Sequence, residues 1–269
     1  MEIPAILDDK GKYRDLSSII PDITGTTLND LSWSDRMDIN SLPLIPADTR
    51  IGPCVGEVGK LICVGLNYSD HAEETGNPIP KEPILFGKAT SAINGPNDNV
   101  IIPRGSTKTD WEVELGIVIS REAKYVSEDN ALDYVAGYCI VNDVSERKFQ
   151  IEKGGQWIKG KSCDTFAPIG PWMVTKDEVP DPQNLKMWLD VDDLRRQDGS
   201  TATMIFGVTT LVSYISRFMS LQPGDIIPTG TPPGVGLGLK PPVFLKPGQT
   251  IKLGIEGLGS QTQKVVSSD

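Results

Sequence analysis

The chain of 269 residues carries a formal net charge of -10, with 38% hydrophobic and 23% charged residues. This is the composition of a globular protein that is long enough for one main domain and a small additional unit. Because a strongly acidic surface repels phosphate backbones, nucleic acid is not expected as a partner. No apolar run approaches the roughly 20 residues that span a bilayer, so no membrane segment is expected either.

Cysteine and histidine usage narrows the chemistry further. The chain holds one histidine and four cysteines, which are Cys54, Cys63, Cys139 and Cys163. No two cysteines form a Cys-x-x-Cys pair, so a zinc site of the Cys/His type is disfavoured. The scattered thiols and the lack of a signal-peptide pattern at the N-terminus predict a cytoplasmic protein.

The chain is predicted to contain a small N-terminal domain at residues 1–58 and a main domain at 59–269. The N-terminal part is polar and poorly periodic up to residue 40. Prolines at 43, 46 and 53 then indicate a linker into the main domain.

The elements predicted for the main domain are mostly short strands. In chain order, strands are predicted at 61–66, 83–88, 100–103, 111–120, 138–144, 168–175 and 185–193. Helices are predicted at 71–75, 127–136, 146–152 and 208–219, and the first is capped by Ser69 or Asp70. The apolar face of the helix at 127–136 holds Leu132, Val135 and Ala136. That of the helix at 208–219 holds Leu211, Val212, Ile215 and Phe218. Strands do not alternate regularly with helices, which disfavours a doubly wound sheet and favours a mostly β fold of the α+β class.

The segment TDWEVELGIVI at 109–119 is the most informative part of the sequence. Since alternate side chains of a strand share a face, Asp110, Glu112 and Glu114 lie on one face and the apolar residues on the other. This pattern fits a half-buried strand with a solvated acidic face. The apolar continuation GIVI favours a central strand instead, where carboxylates repel one another and lose hydration unless a cation compensates them.

A further carboxylate, Asp143, follows the apolar run GYCIVN at 137–142. Asp143 either caps the helix that follows or joins Glu112 and Glu114 in one site. Three carboxylates without a histidine or thiolate ligand favour Mg²⁺ or Mn²⁺ over zinc.

The only histidine of the chain, His71, lies three residues before Glu74. On a helix these two side chains can touch, whereas Glu73 points elsewhere. A carboxylate that holds an imidazole fixes its tautomer and makes it a better base. The pair is therefore either a surface ion pair or a general base with its positioning residue.

Two lysines and one loop could contact an anionic substrate. Lys88 and Lys161 follow apolar or glycine-rich residues, and each is either solvated or a binding cation. The loop TGTPPGVG at 229–236 matches neither a Walker loop nor a dinucleotide fingerprint. Its threonine hydroxyls and backbone amides could line a pocket.

Together these segments resemble the fumarylacetoacetate hydrolase family. The matching segments are GLNYSDHAEE at 65–74, PILFGKATSA at 83–92, TDWEVELGIVI at 109–119, GYCIVNDVSERKFQ at 137–150, KGKSCDTFAPIGPW at 159–172, LQPGDII…TGTPPGVG at 221–236 and GIEGLGSQTQ at 254–263. The chain begins slightly later than similar proteins, so a shortened N-terminal strand is expected.

The resemblance implies a mixed β-roll of the family's C-terminal domain type, a homodimer and an essential Mg²⁺ or Mn²⁺. By position, the metal ligands would be Glu112, Glu114 and Asp143. The catalytic residues would be Lys161 and the pair His71 and Glu74, which lies on a segment that closes over the substrate. The substrate-binding residues would be Gln150 and Thr231, with Arg147 and Lys88 near the pocket.

The resemblance also implies an activity on a small-molecule 2-keto acid. The segments DWEVELG, YVAGYC with VNDVSER, and GGQW with KGK are most similar to the branch acting on sugar-derived 2,4-diketo acids such as 2,4-didehydro-3-deoxy-L-rhamnonate, whose members are also labelled ureidoglycolate lyase. The expected reaction is Mg-dependent hydrolysis of the C3–C4 bond to pyruvate and a carboxylic acid, in carbohydrate catabolism. The alternatives are oxaloacetate decarboxylase or ureidoglycolate lyase on the same metal site, and a non-catalytic metal-dependent binding protein. Binding alone requires no general base, and the presence of His71, Glu74 and Lys161 therefore argues against the binding protein.

Overall fold

A computed structural model describes residues 2–34, 37–76 and 78–268 of the chain. The N-terminal part holds an antiparallel pair of strands, β1 (Ala5–Leu7) and β2 (Tyr13–Asp15), and one helical turn, α1 (Gly25–Leu28). Leu44, in the segment predicted as a linker, pairs with Arg14 and so extends this small unit. A separate hydrophobic cluster of Leu16, Ile20 and Leu42 lies beneath it.

The rest of the chain is mostly β, as the sequence predicts. Its strands are β3 (Leu61–Gly65), β4 (Ile84–Lys88), β5 (Ile93–Asn94), β6 (Val100–Ile102), β7 (Thr109–Asp110), β8 (Val113–Ile119), β9 (Val135–Asn142), β10 (Ser145–Glu146), β11 (Ala167–Thr175), β12 (Lys186–Val191), β13 (Leu194–Ser200), β14 (Ile226–Pro228), β15 (Thr250–Ile255) and β16 (Gly259–Ser267). Its helices are α2 (Ser69–Thr75), α3 (Arg147–Glu152), α4 (Ile158–Lys161) and α5 (Val208–Phe218). No helix in the described ranges has the length and apolarity needed to cross a membrane.

Two sheets form the main core. A seven-stranded mixed sheet has the order β4-β3-β14-β8-β9-β11-β5, and a five-stranded sheet has the order β13-β12-β15-β16-β6. Strands β15 and β16 contact β8 and β9 across the core. Every residue of β8 and β9 is buried, and each buried Leu or Ile side chain stabilises the fold by about 1.5–3 kcal/mol. The acidic segment therefore lies at the centre of the molecule.

The structure corrects the sequence predictions at two helices. Residues 128–134 form a 3-10 helix rather than part of an α-helix, and Val135 and Ala136 already belong to β9. Leu132 is 41% exposed because the apolar run that follows pairs with β8 and draws the buried positions into the sheet. In α5, Leu211, Val212 and Ile215 are buried as predicted, but Phe218 at the C-terminal end is 60% exposed.

The predicted strand at 111–120 is also interrupted. Strand β7 ends at Asp110 and pairs with β10, whereas β8 begins at Val113 and pairs with β9. Trp111 and Glu112 lie in the break between the two strands. Glu112 therefore leaves the regular ladder at the position where its carboxylate meets the charged groups of the site.

Candidate active site

The three predicted metal-ligand carboxylates converge at one end of the central sheet. Val113 is opposite Asn142 in the antiparallel β8–β9 pair, so the residues beside them come together. Glu112, Glu114 and Asp143 are all buried, and one oxygen of each lies within 4.8 Å of the others. Asp143 does not cap the next helix, since α3 is capped by the Glu146 side chain. The alternative role weighed for Asp143 is thus wrong.

Two buried lysines pair with these carboxylates. Lys161, at the end of α4, places its Nζ 2.6 Å from Glu112 Oε2 and 2.7 Å from Asp143 Oδ2. Lys88, at the end of β4, donates to Asp143 Oδ1 at 2.6 Å and to Val144 O at 3.0 Å. Neither lysine is solvated, so the alternative of exposed surface cations is wrong for both.

Arg147 supplies the third cation, from the start of α3. Its Nη2 donates to Glu112 Oε1 at 2.6 Å and its Nε to Asp110 Oδ2 at 2.8 Å. Its Nη1 donates to Gln150 Oε1 at 3.1 Å, which orients the Gln150 side chain within the same cluster. Asp110 also accepts the backbone N–H of Gly236 at 2.6 Å. The link from Asp110 through Arg147 to Glu112 is one that the sequence analysis missed.

The cluster carries one more negative group than positive groups. Four buried carboxylates, Asp110, Glu112, Glu114 and Asp143, face three cations, Lys88, Arg147 and Lys161. The Glu114 side chain accepts a hydrogen bond from the Gly230 N–H at 2.9 Å, and this donor is neutral. Glu114 is therefore the carboxyl group of the cluster that has no ion-pair partner among the described residues.

The pKa shifts follow from this imbalance. Burial raises the pKa of Glu114 well above its usual range, and Asp143 and Glu112 raise it further. Burial also raises the pKa of Glu112, but Lys161 and Arg147 outweigh it and lower that pKa to about 2. A divalent cation would remove the cost of ionising Glu114, and three hard oxygen donors suit Mg²⁺ or Mn²⁺. The residues present therefore fit a divalent metal.

His71 and Glu74 lie on α2 and make the predicted contact. His71 Nδ1 is 2.9 Å from Glu74 Oε2, whereas Glu73 is exposed. Both members of the pair are largely withdrawn from solvent, so this is not a surface ion pair. The N-cap residue of α2 is Tyr68, so the predicted cap at Ser69 or Asp70 is wrong. The buried Tyr68 ring anchors this end of the helix in the core.

The loop at 229–236 connects α2 to the carboxylates. Glu74 Oε1 accepts the Gly234 N–H at 2.9 Å, while the Gly230 N–H of the same loop donates to Glu114. Gly230 and Gly234 both have positive φ, at 95° and 102°, a conformation that favours glycine. A Cβ at Gly238 would lie 2.9 Å from Glu74 Cδ, so a larger residue there would displace the Glu74 carboxylate.

The Thr231 hydroxyl makes two hydrogen bonds within the protein. Its Oγ1 donates to Val113 O at 2.9 Å and accepts from Gln197 Nε2 at 2.8 Å. Thr231 lies in the loop at 229–236, and its single O–H is donated within the protein. Gln197 was missed because its strand, β13, is rich in charged residues and shows no apolar alternation.

Comparisons with known proteins agree with this fold. The family model described as fumarylacetoacetate (FAA) hydrolase C-terminal matches residues 60–266. A protein of Burkholderia orbicola, provisionally named a hydrolase, is 62% identical over 266 residues, which cover 98% of this chain and 94% of the relative.

Solved structures of similar proteins include a hydrolase and an isomerase. The fumarylacetoacetate hydrolase of Exiguobacterium antarcticum matches with a TM-score of 0.89 and 34% identity, covering 98% of this chain and 95% of that chain. The 2-hydroxyhepta-2,4-diene-1,7-dioate isomerase of Mycobacterium marinum matches with a TM-score of 0.76 and 33% identity, covering 100% and 99% of the two chains.

Proposed function

We propose that this chain, a member of the fumarylacetoacetate hydrolase family, is a divalent-metal-dependent hydrolase that cleaves the C3–C4 bond of a 2,4-diketo acid. The products would be pyruvate and a carboxylic acid. The observation that carries the proposal is the buried cluster of Glu112, Glu114 and Asp143, in which Glu114 has a neutral hydrogen-bond donor rather than a cation as its partner. One loop links this cluster to the pair of His71 and Glu74. The names of the similar proteins, hydrolase and isomerase, support an enzyme that acts on acylpyruvate-like compounds.

The three carboxylates Glu112, Glu114 and Asp143 would hold Mg²⁺ or Mn²⁺. When bound, such an ion supplies a Lewis acid that polarises a keto oxygen and a fixed point that orients a 2-keto acid. The surrounding cations Lys88, Arg147 and Lys161 offset the carboxylate charges. An anionic substrate can therefore enter without meeting a strongly negative site.

His71 is the general base of the proposed reaction. Its Nδ1 is held by Glu74, so the proton of the attacking water passes to Nε2, the other ring nitrogen. The hydroxyl group adds to the C4 carbonyl and the C3–C4 bond breaks. The electron pair of the broken C3–C4 bond leaves with the pyruvate fragment as its enolate, which then takes a proton at C3. Glu74 stabilises the imidazolium that forms in the first step.

Lys161 acts as a cation rather than as a nucleophile. Burial alone lowers the pKa of Lys161, but Asp143 and Glu112 raise it above its ordinary value. A permanently protonated amine forms no Schiff base, and it stabilises negative charge that develops on the substrate. Gln150, held by Arg147, presents a side-chain amide to the same cluster.

The remaining features of the proposal concern assembly and location. A homodimer in the cytoplasm is proposed, supported by the family resemblance and by four cysteines that are all free thiols. The sugar-derived branch of substrates, including 2,4-didehydro-3-deoxy-L-rhamnonate, remains the first substrate class to test.

A substrate panel tests the proposal. Pyruvate release is measured from an acylpyruvate, from 2,4-didehydro-3-deoxy-L-rhamnonate and from oxaloacetate, and glyoxylate release from ureidoglycolate, each with Mg²⁺ and then with EDTA. EDTA-sensitive pyruvate from the diketo acids supports the hydrolase and ranks its substrates. Turnover of oxaloacetate or ureidoglycolate alone would move the assignment to a decarboxylase or a lyase, and no metal-dependent turnover of any compound would refute the proposal.

A further inference from the structure

We infer that Gln197 is a positioning residue that fixes the backbone between the carboxylates of Glu112 and Glu114 and ties it to the loop at 229–236. The inference rests on the proposed function, because it assigns Gln197 a role in the metal site. Gln197 belongs to the five-stranded sheet, whereas the carboxylates belong to the central sheet. Its side chain therefore connects the two sheets at the active site.

The side-chain amide of Gln197 makes three hydrogen bonds in a fully buried position. Its Oε1 accepts the Val113 N–H at 3.0 Å. Its Nε2 donates to Thr231 Oγ1 at 2.8 Å and to Pro232 O at 2.8 Å. Gln197 is 0% exposed, so these bonds are not in exchange with water.

Val113 is the residue between Glu112 and Glu114, and side chains hold both of its backbone polar groups. Gln197 accepts from its N–H, and the Thr231 hydroxyl donates to its C=O at 2.9 Å. Val113 begins β8 directly after the break in the strand, and β9 pairs with this segment on one side, where the Asp143 N–H donates to Glu112 O at 2.9 Å. On the other side, where the β14 pairing does not reach Val113, the side chains of Gln197 and Thr231 take the place of the ladder and help to fix the direction in which the two carboxylates point.

The contact between the β12–β13 hairpin and the loop leaves little room for adjustment. A Cβ at Gly199 would lie 2.5 Å from Pro232 Cβ, and a Cβ at Gly234 would overlap Arg196 O. The two backbones are therefore in direct contact on either side of Gln197. Because they cannot move closer, a change in the Gln197 side chain is transmitted to Val113 and Pro232.

Gln197→Leu is the variant that tests this inference. Leucine has a similar size but leaves the Val113 N–H and Pro232 O buried without a partner, so the Glu112–Glu114 segment can shift. Changes to residues that orient metal ligands typically weaken metal binding by about 10–100-fold. The Kd for Mn²⁺ is measured by calorimetric titration of the full chain without substrate, and we expect it to rise about tenfold or more.

A second variant and a control complete the experiment. Thr231→Val removes the hydroxyl that donates to Val113 O at nearly constant volume, and it is expected to weaken Mn²⁺ binding in the same direction. Gln183→Leu is the control, because the Gln183 amide accepts the Val208 N–H at 2.7 Å and contacts none of the carboxylates. The control is expected to keep the wild-type Kd even where its melting temperature falls.

The outcomes separate the two proposals. A folded Gln197→Leu protein with the wild-type Kd for Mn²⁺ would overturn the inference and leave the proposed function intact. If Gln197→Leu does not fold, the Kd of Thr231→Val decides, and an unchanged value overturns the inference. If the wild type itself binds no Mn²⁺, the proposed function and the inference are both refuted.

Discussion

Replacing Glu114 by Gln tests the charge imbalance of the site most sharply. Glu114 is buried, and its carboxylate accepts a hydrogen bond from the Gly230 N–H rather than from a cation. Glutamine has nearly the shape of the protonated acid but cannot ionise. In the absence of metal, the Glu114→Gln protein is therefore expected to be at least as stable as the wild type at neutral pH.

The size of the effect follows from linkage. Burial, followed by the charges of Asp143 and Glu112, raises the pKa of Glu114 well above its ordinary value of 4.5. Above the pKa of the unfolded chain, the folded state keeps a proton that the unfolded state has lost. The free energy of unfolding then falls as pH rises towards the folded pKa, by up to about 1.4 kcal/mol per pH unit. Glu114→Gln removes this contribution to the slope.

The assay is urea denaturation at pH 6, 7 and 8, in EDTA and in excess Mg²⁺. In EDTA the wild type should lose stability with pH more steeply than Glu114→Gln. Mg²⁺ should stabilise the wild type increasingly as pH rises, because its binding offsets the cost of ionising Glu114, and it should not stabilise the variant. Glu73→Gln, at an exposed position, is the matched control and should behave as the wild type. Equal pH slopes for wild type and Glu114→Gln, or equal stabilisation of both by Mg²⁺, would refute the reasoning.

Two further variants test the cations and the base. His71→Ala should abolish hydrolysis of a diketo acid but leave Mn²⁺ affinity unchanged, because Glu74 and the carboxylate cluster stay in place. A His71→Ala protein that retains hydrolysis at the wild-type kcat would contradict the assignment of the base. Lys161→Met removes the shared partner of Glu112 and Asp143 and should lower the free energy of unfolding in EDTA by about 3–5 kcal/mol, measured by urea denaturation. A loss below 1 kcal/mol would show that these carboxylates do not depend on Lys161.

Local patterns predicted the elements that carry the site. The apolar runs of β3, β9 and β11 and the helical spacing of α5 are visible in the sequence, because each is a single segment with one dominant period. A compensating cation near Glu112 and Glu114 was predictable as well, since a buried strand cannot hold several carboxylates without one. The convergence of these two acids with Asp143 depends on the β8–β9 register, which the resemblance supplied and spacing alone could not.

The sequence could not predict features that depend on contacts between distant segments. The strand break at Trp111 and Glu112 arises because β7 pairs with β10, two residues beyond Asp143. The side chain of Gln197 acquires its role only when β13 packs against the loop at 229–236. Neutral amides have no periodicity or charge that would set them apart from solvated glutamines, and the sequence analysis accordingly missed this residue.

Hydrolysis of an acylpyruvate in ¹⁸O-labelled water, with Mg²⁺ present, tests the central claim most directly. Mass spectrometry of the products should show pyruvate and a carboxylic acid that has gained ¹⁸O from the attacking water. Both products should disappear when EDTA is added. Metal-dependent conversion without cleavage of the C3–C4 bond, or a carboxylic acid that carries no label, would contradict a hydrolase whose base is His71.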